Sequence, residues 1–110
     1  MSARSSPSPA SGRQRLPDRR DSVVLEYDLD GVRYRAQLTC GANGDPLEIF
    51  LDGPKVGSAA CIAARDAAVA ASLALQFGCD ASALSHALLK LSNGQSAGPV
   101  GKAFEMLAAQ

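Results

Sequence analysis

Residues 47–78 read LEIFLDGPKVGSAACIAARDAAVAASLALQFG, and this stretch decides the fold. Leu47, Ile49 and Leu51 alternate with Glu48, Phe50 and Asp52, the period of a strand with one apolar face. Gly53-Pro54-Lys55-Val56-Gly57 follows as a turn. Pro54 presets φ and cannot extend a strand ladder, and Gly53 and Gly57 can take the positive φ that strains other residues. Ser58 has the side chain of a helix N-cap. A long helix is expected from about Ser58 to Phe77, with Ile62, Val69, Leu73 and Phe77 as the stripe that packs on the apolar sheet face. Gly78 stops it.

Upstream, two more segments alternate in the same way. Val23, Leu25, Tyr27 and Leu29 share one face of residues 22–29; Val32, Tyr34, Ala36 and Leu38 share one face of residues 32–39. Asp30-Gly31 between them is a hairpin signal, and residues 41–46, GANGDP, make a longer turn. Three consecutive strands, each with one apolar face, predict an antiparallel meander with one wet face. Arg33 and Arg35 are placed to pair across strands with Glu26, Asp28 or Glu48.

Downstream, Asp80 or Ser82 caps a second helix expected over 81–91, with Leu84, Leu88 and Leu91 on one stripe. Asn93-Gly94 and Gly98 mark a flexible connector. Pro99 suits the first position of a last helix carrying Val100, Phe104 and Leu107. The fold class is therefore α+β: a three-stranded antiparallel meander packed on a long Ala-rich helix, followed by two shorter helices. That long helix is apolar nearly all round, so a second cover is expected, either the two later helices or a partner subunit.

The 110 residues carry no net charge, but the balance is uneven. Residues 1–21 hold five arginines against Asp18 and Asp21, a net +3, which leaves −3 for the remainder. The segment is rich in Ser, Pro and Arg and too poor in large apolar residues to offset the entropy of ordering it. It reads as a disordered basic tail, and 22–110 as a single domain. Nucleic acid is expected only through that tail, because the folded part has no basic excess. Cys40, Cys61 and Cys79 show neither disulfide nor metal spacing, which fits a reducing cytoplasm. No signal peptide opens the chain, and Arg65, Asp66 and Gln76 within the long helix argue against a membrane span.

Two features bear on chemistry. The turn and the helix start bring Lys55, the backbone of Gly57 and the Ser58 hydroxyl together as a candidate anion-binding site, since helix N-termini present unpaired N–H groups. The Gly-x-x-x-x-Gly-Lys-Ser/Thr order of a phosphate loop is absent, Lys55 preceding Gly57. His86, the only histidine, has no acid, nucleophile or metal-ligand partner in its pattern and reads as a surface residue. No catalytic residue and no metal ligand is assigned.

The 47–78 stretch also resembles a known family. A strand with Glu48 and Phe50, then Gly53-x-Lys55-x-Gly57-Ser58, then an Ala/Leu-rich helix with Ser72-Leu73-Ala74-Leu75 and Gly78, is similar to the TSCPD domain. That domain occurs near the C-terminus of adenosylcobalamin-dependent ribonucleotide reductases and as small stand-alone bacterial proteins. The resemblance spans about residues 22–91 and is specific only as a set of spacings. The Thr-Ser-Cys-Pro-Asp string is missing, as is any Cys-x-x-Cys pair, and there is no room for a reductase barrel.

The resemblance implies an accessory or binding module of the ribonucleoside-diphosphate reductase world. Adenosylcobalamin would belong to the full-length reductases and no cofactor to this chain. A reductase subunit is then one expected partner, while the apolar helix itself, which must be covered, predicts a homodimer. The residues themselves leave two other functions open: a small anion- or nucleotide-binding protein using the 53–58 turn, and an interaction protein that dimerises through the alanine-rich helix.

Overall fold

The computed structural model describes residues 21–53 and 57–110. The expected tail, apart from Asp21, lies outside the described residues. The chain forms β1 (Asp21–Leu29), β2 (Val32–Cys40), β3 (Pro46–Asp52), α1 (Ala59–Gln76), α2 (Ala81–Ala87) and α3 (Pro99–Ala108). The strands build one antiparallel sheet in the order β1-β2-β3, an α+β arrangement.

The hairpin between β1 and β2 turns on Asp30 and Gly31, both at positive φ (53° and 77°), the backbone that matches strand twist in a two-residue loop. Register then follows from alternation. Tyr27 pairs with Tyr34, Leu25 with Ala36, and Leu38 with Ile49, so these apolar residues share one face, while Val24 and Phe50 face outward. The opposite face is wet, and there Arg33 bridges Glu26 and Asp28, each at 3.3 Å. Such exposed pairs contribute only about 0–1 kcal/mol.

The core joins the apolar sheet face to Ala64, Ala68, Ala71 and Leu75 of α1 and to Val100, Ala103 and Phe104 of α3. The Tyr27 hydroxyl donates to the Pro99 carbonyl at 2.6 Å and pins the start of α3 to β1. Burial pushes the Tyr27 phenol up, and neighbouring Tyr34 adds to the shift.

Helix α1 is closed at both ends by its own residues. Ser58 Oγ accepts the Cys61 N–H at 3.2 Å. At the other end Gly78 has φ +103°, with Gly78 N–H donating to the Leu75 carbonyl and Cys79 N–H to the Ala74 carbonyl, a Schellman arrangement. Gln76 and Ser72 tie this helix to the outer edge of β3. The Ile49 N–H donates to Ser72 Oγ (2.9 Å), the Ser72 hydroxyl donates to the Ile49 carbonyl (3.0 Å), and the Gln76 side-chain amide donates to the Leu47 carbonyl (3.4 Å).

Two expectations are corrected. Helix α2 ends at Ala87 instead of reaching residue 91, with Leu88 extended. Lys90 Nζ folds back to the carbonyls of Ser85 and Leu88, and Lys90 bridges Ser96. Residues 89–97 therefore form an ordered loop rather than a last helical turn. Its bonds run from Leu91 N–H to Gln95, Gly94 N–H to Leu91 and Ala97 N–H to Leu89. Leu84 and Leu88 pack on the core while Leu91 is exposed.

The second correction concerns the face of α1. Cys61, Ala64, Ala68, Ala71 and Leu75 point inward. Ile62, Val69, Leu73 and Phe77, expected on the sheet, are exposed instead.

Loop 89–97 is anchored by a charge. The Ser96 N–H donates to Glu105 of α3 at 3.0 Å, and Lys102 lies 3.4 Å from the same carboxylate. The Ser96 backbone bond first, then its hydroxyl and the Lys102 ammonium, hold the Glu105 carboxyl below the usual carboxylate range. A lowered folded-state value adds stability that is complete above the ordinary carboxylate pKa and is lost as pH falls through the lowered one. Glu105→Gln keeps an acceptor for Ser96 but removes the titration. Thermal melts across acid pH should show wild type more stable at neutrality and the gap closing as pH drops.

Candidate functional site

At the 53–58 turn, Gly57 and Ser58 are described, whereas Lys55, which carries the charge of the expected anion site, lies outside the described residues. Gly57 has φ +86°. Nothing lies within 4 Å of a Cβ built there, so backbone conformation alone demands glycine. Gly53 does not take positive φ. A Cβ there would meet Cys61 Cβ at 3.4 Å, an ordinary van der Waals contact. Gly57→Val should cost about 1–2 kcal/mol by backbone strain, read from the shift of the urea midpoint.

His86 is exposed, with Nδ1 2.9 Å from the Ser82 carbonyl one turn back. Among the described residues no three His, Cys, Asp or Glu side chains converge on a point that would hold a metal ion. Cys40 and Cys61 are buried and Cys79 is exposed. Burial, with the charges of Asp21 and Asp45, pushes the Cys40 thiol up, away from the reactive thiolate.

The feature that stands out is the outer side of α1. By length and composition this helix is apolar enough to span a bilayer, but one face is core and Arg65 pairs with Asp52 at 3.1 Å. On the other side Ile62, Val69, Leu73 and Phe77 are 40–60 % exposed. Phe50, on the outward face of β3, is exposed beside them. Phe50, Val69 and Leu73 line one groove of about 300 Å³, with Ser72 and Gln76 in its wall and Arg65 and Asp52 among its lining.

This arrangement follows from the edge bonds. The Ser72 bonds to the Ile49 backbone and the Gln76 bond to the Leu47 carbonyl hold the side of α1 that carries Cys61, Ala64, Ala68, Ala71 and Leu75 against the sheet. Ile62, Val69, Leu73 and Phe77 are turned outward. Sequence reasoning missed this face because a period of large residues normally marks the buried side. The signal that could have found it was the paired polar residues Ser72 and Gln76, four apart, which mark the side meeting a strand edge.

No family model, curated protein or solved structure matches this chain.

Proposed function

We propose that this chain is a non-catalytic accessory or binding module that works by docking another protein chain on the outer face of α1. The observation that carries the reading is the turned-out set Phe50, Ile62, Val69, Leu73 and Phe77. A cluster of large apolar side chains on a protein's surface often marks a binding site.

The TSCPD-like spacing from Glu48 to Gly78 supports a relation to adenosylcobalamin-dependent ribonucleoside-diphosphate reductases, and makes a reductase subunit the first heterologous partner to test. The family's radical and thiol chemistry would belong to a separate barrel. In this chain Cys40, Cys61 and Cys79 sit at the end of β2, in α1 and after α1, and supply no Cys-x-x-Cys pair. Tagged full-length protein, recovered from its own cells, is expected to bring a reductase subunit with it, and Leu73→Asp is expected to lose that subunit. Recovery with no reductase subunit would remove the reductase relation.

A further inference from the structure

We propose that the groove between the β2–β3 loop and the start of α2 is the docking site of this chain's own basic segment, Arg15–Arg20, with Leu16 as its apolar anchor. This surface is separate from the outer face of α1 and needs no partner there.

Position comes first. Asp21 pairs with Cys40 and Cys40 with Pro46, so the start of β1, the end of β2 and the start of β3 form one row across the sheet. Neighbouring strands lie about 4.8 Å apart, which sets Asp21 about 10 Å from Pro46. Pro46 is in the wall of the groove. Residues 1–20 therefore join the fold at the end of the sheet where the groove lies. Leu16 is five residues before Asp21, a reach of about 17 Å in extended chain, enough to enter it.

Shape and polarity come second. The groove holds about 570 Å³. Pro46, Leu47, Leu75 and Ala81 give it apolar walls, and Asp45 and Asp80 add carboxylates. Within residues 1–20, Met1 and Leu16 are the only large apolar side chains, and Leu16 stands between Arg15 and the pair Arg19-Arg20. One apolar side chain flanked by guanidinium groups matches an apolar groove flanked by carboxylates. Pro17 has a fixed φ and leaves fewer conformations to lose on docking.

Charge comes third. Residues 1–20 carry five arginines against Asp18, a net +4, and the chain is neutral, which leaves −4 for residues 21–110. Asp18 reduces Arg15–Arg20 itself to +2. The ion pairs of the described residues engage Glu26, Asp28, Asp52 and Glu105, and none of them reaches Asp21, Asp45 or Asp80. Asp45 accepts the Asn43 side-chain amide and Asp80 accepts the Ala83 N–H, each through one oxygen, so each keeps a second oxygen for a guanidinium. Burial first, and then the charges of Asp21 and Asp45, push the Cys40 thiol up, which sets both carboxylates beside the end of β2. Because the segment is tethered, its effective concentration at the groove is on the order of millimolar, and weak contacts suffice to fill it.

Amide spectra of the full chain test this from both sides. Leu16→Ser changes the segment and is read at the groove: the amides of 41–47 and 78–81 should shift, while those of Asp30 and Gly31 at the far end of the hairpin should stay. Asp45→Asn with Asp80→Asn changes the groove and is read at the segment, where the Leu16 amide should shift and its heteronuclear NOE should drop. Asparagine retains both the acceptor for Asn43 and the helix cap, so the fold is kept. In 1 M salt, where the screening length is about 3 Å, the differences between wild type and each variant should shrink severalfold. Tenfold dilution should change nothing, since the contact is within one chain.

Groove amides that ignore Leu16→Ser overturn the proposal, and so does a Leu16 amide that ignores the paired aspartate changes. Differences undiminished in 1 M salt overturn the part assigned to charge. Shifts that fade on dilution overturn the in-chain assignment and give the groove to the segment of another copy.

Discussion

Leu75→Ala should cost about 2–5 kcal/mol of folding stability, whereas Leu73→Ala, two residues away on the same helix, should cost about 1 kcal/mol at concentrations where the chain is monomeric. The two residues have the same chemistry and the same local helix, so the contrast isolates burial. Leu75 is 5 % exposed and packs with Leu38, Ile49, Leu51 and Phe104 in the central cluster. Removing its branch leaves a cavity whose walls are sheet residues already fixed by register, so they collapse little. Leu73 is 40 % exposed, and truncating it opens no closed cavity. Urea denaturation of both variants checks the pair. Equal losses in dilute protein would mean that α1 is rotated from the orientation described. A Leu73→Ala loss that grows with protein concentration would instead report an interface.

The sheet was legible in the sequence for a simple reason. In 22–29, 32–39 and 47–52 each apolar residue has a polar or charged neighbour on nearly every alternate position, so one register satisfies the pattern and a slip by one residue exposes it all. Asp30-Gly31, Gly78 and Pro99 likewise act through backbone restrictions that hold whatever surrounds them. The orientation of α1 was not legible. Nine of its eighteen residues are alanine, and its charged pair, Arg65 and Asp66, straddles the boundary between the groove and the outer stripe. With so little polar contrast, size suggested which side is inside, and size misled because the side that meets the sheet carries mostly alanine, with Leu75 and Gln76 as its long side chains. The end of α2 was hidden for a related reason. Leu84, Leu88 and Leu91 keep helical spacing, but the reach of Lys90 to two carbonyls and its bridge to Ser96 depend on contacts that periodicity does not encode. Of the candidate anion site, the capping role of Ser58 and the positive φ of Gly57 followed from residue type alone.

Ser72→Ala should cost about 1–3 kcal/mol, an outsized effect for the loss of one oxygen on a half-buried helix residue. The reason lies in the strand, not the helix. Strand β3 is the edge of the sheet, and an edge strand presents unpaired N–H and C=O groups that must find partners or water. At Ile49, which is 1 % exposed, water has little access, and both groups are met by the single Ser72 hydroxyl, which accepts from one and donates to the other. Alanine is a better helix former, by about 0.5 kcal/mol, so helix propensity predicts a small gain. Loss of two partners at a buried site outweighs that gain, and the sign of the measured change decides between the two accounts. Ser72→Thr retains the hydroxyl and should recover part of the loss. Hydrogen exchange gives the local reading: the Ile49 amide in Ser72→Ala should exchange about 10–100-fold faster, in keeping with the same free energy, while amides of the β1–β2 hairpin change less. An unchanged Ile49 amide would show that another group closes the edge. In that case the close approach of α1 to β3, and with it the turning outward of Val69 and Leu73, would need a different cause.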